Sequence, residues 1–69
     1  MEWQRVSSSN LARVRYDEDT MTLEIEFHGG DQYQYFDVPR RIYEELMSAA
    51  SKGGYFHKQI KGHYRYAKK

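Results

Sequence analysis

Residues 21–27, with the sequence MTLEIEF, alternate apolar and polar side chains without interruption. Every odd-numbered position is apolar, and every even-numbered position is threonine or glutamate. A period of two is typical of a β-strand that buries one face and exposes the other. The stretch therefore predicts a half-buried strand whose core-facing residues are Met21, Leu23, Ile25 and Phe27.

Two more strands are predicted, one on each side of this stretch. Residues 12–16 alternate apolar residues with arginines, and a polar turn (residues 17–20, DEDT) follows them. After the central strand, residues 28–31 (HGGD) supply a glycine-rich reversal, and residues 32–36 form a ring-rich strand. The earlier strand is predicted to bury Ala12, Val14 and Tyr16. Three strands joined by short turns predict an antiparallel meander.

The period of the apolar residues becomes helical after Pro39. Proline suits the first turn of a helix, and residues 40–51 then carry apolar side chains at helical spacing. The glycine pair at 53–54 is predicted to end this helix with a left-handed cap. A second, shorter helix is predicted to start near Tyr55. Its predicted buried residues are Phe56 and Ile60. The predicted fold class is α+β: a three-stranded antiparallel β-meander followed by two helices packed on one sheet face (β-β-β-α-α).

Length and composition limit the class of protein. A chain of 69 residues is predicted to form one domain, residues 1–69, with flexible ends at 1–6 and 65–69. The absence of cysteine excludes disulfides and thiolate metal sites. No apolar run approaches the ~20 residues needed to span a bilayer. We therefore expect a cytoplasmic protein with no membrane contact.

The final third of the chain is cationic. Residues 46–69 contain six bases and no acid, whereas residues 1–45 contain five bases and all ten acids. The six bases are Lys52, Lys58, Lys61, Arg65, Lys68 and Lys69. Arg40 and Arg41, at the start of the first predicted helix, extend this set. Three interpretations stay open: the cations bind nucleic acid, they neutralise acidic turns of their own domain and solubilise a terminus, or they contact an acidic protein or membrane surface.

Tyr33 and Tyr35 lie two residues apart, so in a strand they share one face. One interpretation makes that face a platform on which unpaired bases stack. A second packs both rings under the helices, and a third places Phe36 and Val38 inside and the tyrosines outside. The exposure of the two rings decides between these alternatives.

The ordered series of motifs resembles the KTSC domain family. This family takes its name from a domain found at the C-terminus of some lysyl-tRNA synthetases, and it also includes small free-standing bacterial proteins. The resemblance covers residues 6–64 and implies a small domain with a link to RNA. The motifs that carry it are Ser8-Ser9-Asn10-Leu11, Val14-x-Tyr16-Asp17, Leu23-x-Ile25-x-Phe27, Tyr33-Gln34-Tyr35, Val38-Pro39, Tyr43, Leu46, Ala50-Ser51-x-Gly53-x-Tyr55-Phe56 and Ile60-Lys61.

Signals for catalysis are weak in this sequence. The three histidines have no metal-ligand spacing, and neither a nucleophile elbow nor a phosphate-binding loop is present. A domain of this size is also expected to have little room for a pocket of ~300 Å³ or more. We therefore predict no catalytic residues, no metal site and no cofactor.

The sequence favours a non-catalytic module that binds RNA or another nucleic acid through a basic, tyrosine-containing surface of the C-terminal helix. The predicted contact residues are Lys52, Lys58, Lys61, Arg65, Arg40, Arg41, Tyr33 and Tyr35. The alternative is a module for protein–protein interaction or homodimerisation, acting through a sheet edge or through the Tyr33/Tyr35 face.

Overall fold

An antiparallel sheet of five strands forms one layer of the protein. The computed structural model describes residues 2–69. Each strand lies beside its neighbour in the chain, so the sheet is a meander throughout. The strands are β1 (Gln4–Arg5), β2 (Leu11–Asp17), β3 (Thr22–Phe27), β4 (Gln32–Tyr35) and β5 (Tyr66–Lys68).

The fold class α+β is confirmed, but the predicted number of strands is wrong. The meander of β2, β3 and β4 gains β1 at one edge, where Gln4 pairs with Val14. It gains β5 at the other edge, where Tyr66 pairs with Tyr35. The added strands have two and three residues, too few for a period of two to be visible in the sequence. Both lie in the ends that we expected to be flexible.

A bulge changes which residue of β2 enters the core. The register of β2 against β3 shifts between Leu11 and Arg13. As a result Leu11 is fully buried with Val14, whereas the predicted Ala12 is only half-buried. Just before β3, Met21 has a φ of 55° and is 42% exposed, so the first core-facing residue of this strand is Leu23 and not the predicted Met21.

Two helices connect β4 to β5, and their junction differs from the prediction. The first, α1 (Arg40–Ser48), begins after Pro39 and ends at Ala49. The second, α2 (Lys52–Tyr55), continues directly into a π-helical turn (Phe56–Ile60), in which Lys61 N donates to Phe56 O at 2.8 Å.

The glycine pair lies inside α2 and does not cap α1. Ser51 is the N-cap, and its side chain accepts a hydrogen bond from Gly54 N at 3.1 Å. A Cβ at Gly53 would lie 3.0 Å from Nδ2 of Asn10, so a larger residue there would have to displace the Asn10 side chain. The glycine pair thus lies where α2 packs beside the segment before β2.

The helices cover one face of the sheet, and the buried apolar side chains lie between the two layers. The Tyr16 ring stacks on the Tyr43 ring with centroids 5.0 Å apart, and this contact joins β2 to α1. The Tyr16 hydroxyl also donates to Val38 O. The buried set is Leu11, Val14, Leu23, Ile25, Tyr35, Val38, Ile42, Leu46, Phe56 and Ile60.

The opposite face of the sheet carries a network of charged side chains around Glu24. This carboxylate is 4% exposed and accepts hydrogen bonds from Arg15, Gln34 and Lys69. Burial by itself would raise its pKa, but the hydrogen bonds from Lys69, Arg15 and Gln34 outweigh burial and hold the pKa of Glu24 below its ordinary value of 4.5.

Acid is expected to destabilise the protein, and Glu24→Gln is expected to remove part of this effect. A carboxylate with a lowered pKa stabilises the fold above its unfolded-state pKa and loses that contribution as the pH falls through its folded-state pKa. The wild-type free energy of unfolding should therefore drop below about pH 4.5, and the variant should show a smaller drop. Urea unfolding at neutral pH and near pH 3 measures both. An unchanged drop in the variant would contradict the assignment to Glu24.

Candidate nucleic-acid interface

An open groove lies between β4, β5 and the π-helical turn. Its volume is about 590 Å³, so the expectation of little room for a pocket is wrong. The helices leave this side of the sheet open: Leu23 and Ile25 of β3 are fully buried, whereas Tyr66 of β5 is 62% exposed. We call this feature the aromatic groove, defined by the rings of Phe27, Tyr33, Tyr35, Phe56 and Tyr66.

The rings of the aromatic groove hold one another in place. Phe56 contacts Phe27 and Tyr35 edge to face, with centroids 5.4 and 5.5 Å away. The Tyr66 ring lies beside those of Tyr33 and Tyr35, tilted against both, with centroids 5.9 and 5.8 Å away. Aromatic pairs at these separations stabilise one another by more than the burial of their surface area alone would give. The groove therefore offers a preformed aromatic surface.

Tyr33 and Tyr35 combine features of two of the predicted alternatives, the packing of both rings under the helices and the platform on which unpaired bases stack. Both lie on the helix-covered face, since Tyr35 pairs with Leu23 and Tyr33 pairs with Ile25. Tyr35 is buried, and Tyr33 is half-buried. Burial, with smaller contributions from Tyr33 and Tyr66, raises the pKa of Tyr35 from its ordinary value of 10 to about 12. The two rings pack in the core and also form part of the groove wall.

Four polar side chains also line the aromatic groove. They are Asn10, Asp31, His57 and Lys61. The His57 ring contacts Phe56 edge to face at 5.7 Å. Lys61 forms no ion pair with any residue in the described part of the chain. Its ammonium group is therefore available to an anion that approaches the groove.

The predicted lysines of the second helix have different surroundings. Lys52 donates from Nζ to Ala49 O at 3.1 Å and so satisfies a carbonyl at the end of α1. Lys58 and Lys61 are exposed, and within residues 2–69 neither has an acidic neighbour at ion-pair distance. Among the predicted contact residues, Lys58 and Lys61 are the cations whose side chains form neither an ion pair nor a hydrogen bond within residues 2–69.

Half of the cationic tail is neutralised inside the domain. Arg65 pairs with Asp37 at 2.8 Å, and its guanidinium lies 5.7 Å from the centroid of Phe36. The other two pairs are Lys68 with Asp31 at 3.6 Å and Lys69 with Glu24 at 3.0 Å. The pairing of β5 with β4 creates these contacts, because it places the tail beside the acids of the sheet.

Arg40 and Arg41 are also paired with acids. Arg40 contacts Glu18 and Glu44, and Arg41 lies 3.7 Å from Glu45. Neither arginine lines the aromatic groove. Of the eight predicted contact residues, the structure brings Tyr33, Tyr35 and Lys61 together in the groove.

Several groove residues were absent from the predicted set. Phe27 and Phe56 were assigned to the core, and Tyr66 was placed in a flexible end. Asn10 and Asp31 were assigned to loops. The groove forms only when β5 pairs with β4, and this long-range pairing leaves no periodic signal in a three-residue strand.

The described residues contain no cluster of three or more histidine, aspartate or glutamate side chains that would suit a metal ion. Across residues 2–69, neither helix has the length and apolar character required to cross a membrane.

The KTSC domain family profile matches residues 7–64, which include most of the aromatic groove. The chain belongs to the KTSC domain family. A crystal structure of a KTSC domain protein from Yersinia pestis has 43% sequence identity and a TM-score of 0.93, and the match covers 99% of this chain and 96% of that one. This KTSC domain and the Yersinia protein therefore share the same fold.

Relatives of this KTSC domain occur in two contexts. A lysine–tRNA ligase of Trichormus variabilis is 50% identical over 58 residues, which are 84% of this chain and 10% of the ligase. The corresponding ligase of a Nostoc species is 54% identical with the same coverage. The chain thus spans about a tenth of the length of these ligases. An uncharacterised protein of Stutzerimonas stutzeri is 39% identical, with 88% of this chain and 87% of that protein covered.

Proposed function

We propose that this KTSC domain is a non-catalytic module that binds single-stranded RNA in the aromatic groove. The observation that carries this proposal is the combination of an open ring-lined groove with the uncompensated Lys61 in its wall. Single-stranded RNA presents unstacked bases to rings and phosphates to cations at the same time. The groove offers both kinds of contact within one surface.

A base enters the groove and stacks on Tyr66, the most exposed of its rings. Tyr66 is 62% exposed, so a large part of this side chain is accessible. Its other contacts, with Tyr33 and Tyr35, hold it in place without closing the groove. A ring that is already positioned loses little conformational entropy when a base stacks on it.

Lys58 and Lys61 hold the phosphates on either side of this base. Lys61 lines the groove just after the π-helical turn, and Lys58 follows the groove residue His57 within the turn. Both side chains are exposed. Binding of this kind depends on salt, because each phosphate contact releases counterions from the RNA.

The comparisons support RNA as the nucleic acid. Domains 50% and 54% identical to this one are parts of lysine–tRNA ligases, enzymes whose name specifies an RNA substrate. We extend this association with RNA, and a cytoplasmic location with it, to the present chain.

The protein–protein alternative has less support from the geometry. The edge strands have only two and three residues, and they carry Arg5 and Lys68. Short, charged edge strands oppose the addition of another strand. The tyrosine face lies within a groove, which suits an inserted group better than a flat dimer interface.

The Tyr66→Ala variant is expected to bind single-stranded RNA about tenfold more weakly than the wild type, because stacking contributes ~1–3 kcal/mol per base. Fluorescence anisotropy with a labelled oligouridine at low salt measures the dissociation constants. Tyr66→Phe is the matched control, since it keeps the ring and should bind like the wild type. Equal binding by wild type and Tyr66→Ala, or no RNA binding by the wild type, would contradict the proposal.

A further inference from the structure

Two polar side chains of the aromatic groove have no part in stacking or in phosphate binding. Asn10 lies just before β2, and Asp31 lies just before β4. Both therefore lie at the end of the groove where β4 begins. Lys61 belongs to the loop that leads into β5, and Tyr66, the first residue of β5, pairs with Tyr35 at the other end of β4. The groove thus has an anionic end and a cationic wall.

The carboxylate of Asp31 keeps acceptor positions free beside its ion pair with Lys68. Its side chain is 65% exposed, and its ion pair with Lys68 is long, at 3.6 Å. Exposed pairs of this kind contribute little and leave acceptor positions free. Within residues 2–69 the Asn10 side-chain amide forms no hydrogen bond, and it lies close to Gly53.

A carboxylate beside a bound RNA strand repels the phosphates unless it receives a hydrogen bond. Ionised aspartate only accepts hydrogen bonds, so its ligand must supply a donor. The ribose 2′-hydroxyl is such a donor, whereas the deoxyribose carbon at this position is not. Asp31 therefore weakens the binding of DNA by repelling its phosphates. In RNA the hydrogen bond from the 2′-hydroxyl offsets this repulsion.

We infer that Asp31, supported by Asn10, accepts a hydrogen bond from the ribose 2′-hydroxyl of the nucleotide at the end of the aromatic groove where β4 begins, next to the nucleotide that stacks on Tyr66, and so selects RNA over DNA. This inference rests on the proposed function. It assigns ribonucleotides as the ligand class of the groove and makes Asp31 a specificity-determining residue. Stacking on Tyr66 by itself does not distinguish ribose from deoxyribose.

The test compares three labelled oligonucleotides of one base sequence: oligouridine, oligodeoxyuridine and 2′-O-methyl oligouridine. The wild type is expected to bind the RNA about tenfold more tightly than either of the others, the effect of one hydrogen bond to a charged group. In Asp31→Ala the RNA should bind about as weakly as the DNA. The Asp31 side chain is exposed, so circular dichroism should show an unchanged fold.

Lys68→Ala is the matched control, because it removes the ion-pair partner of Asp31 and leaves the acceptor in place. Its ratio of RNA to DNA affinity should equal that of the wild type. Equal wild-type affinity for RNA and DNA would overturn the inference and leave the proposed function standing. A preference for RNA that persists in Asp31→Ala would overturn the role of this residue. Failure of the wild type to bind any of the three would overturn the proposed function itself.

Discussion

Replacing Lys58 and Lys61 together by alanine is expected to weaken single-stranded RNA binding by about 65-fold near 50 mM salt. Each phosphate contact to a single strand makes the binding constant vary with salt concentration to a power of about −0.7, so the loss of two contacts removes this factor relative to 1 M salt. Neither lysine has a compensating acid within residues 2–69, so their full charge is available to the RNA. The slope of log affinity against log salt should also decrease in magnitude by about 1.4.

The control for this experiment is the double variant Arg40→Ala, Arg41→Ala. It removes the same number of positive charges, but both arginines pair with glutamates and lie outside the groove lining. We expect its affinity to fall less than about threefold, because distant surface charges are screened. Anisotropy titrations at several salt concentrations measure both variants. Equal losses in the two variants would show that binding follows net charge and not the groove.

Leu23→Ala is expected to lower the free energy of unfolding by about 3 kcal/mol and the thermal midpoint by about 15 °C. Leu23 is fully buried in β3, the central strand of the sheet, where truncation leaves a cavity between sheet and helices. A chain of this length has a total stability of roughly 3–10 kcal/mol, so the variant loses a large share of it. Thermal and urea unfolding followed by circular dichroism measure the change.

Met21→Ala is the matched control for the stability prediction. Met21 is apolar and close to Leu23 in the chain, but it is 42% exposed and lies outside the buried core. Its truncation should change the free energy of unfolding by less than about 0.5 kcal/mol. If the two variants are equally stable, the alternation of β3 does not define the core.

The alternation in residues 21–27 predicted the sheet face correctly because a strand places successive side chains on opposite sides. Leu23 and Ile25 are buried, while Glu24 and Glu26 join the charged network on the other face. The helical spacing of Phe56 and Ile60 was equally informative, and both are buried. These patterns depend on neighbours in the chain, so the sequence contains them directly.

The charge of the C-terminal tail predicted less reliably which cations are left without an acidic partner. Six bases without an acid predicted a cationic surface, yet the structure pairs Arg65, Lys68 and Lys69 with acids in the sheet and in the segments that flank β4. These acids are distant in the chain, and only the pairing of β5 with β4 brings them close. Lys58 and Lys61 keep their charge uncompensated because they project from the helical segment and not from the sheet edge.

The sequence by itself determined the α+β class, the central three strands, the two helices and the family. Each of these rests on local periodicity or on a series of short motifs. The tertiary structure alone decided that short strands extend both sheet edges, that half of the tail is neutralised, and that five rings surround an open groove. The physical reason is that these features require contacts between distant segments, such as Tyr66 beside Tyr35, which no local pattern encodes.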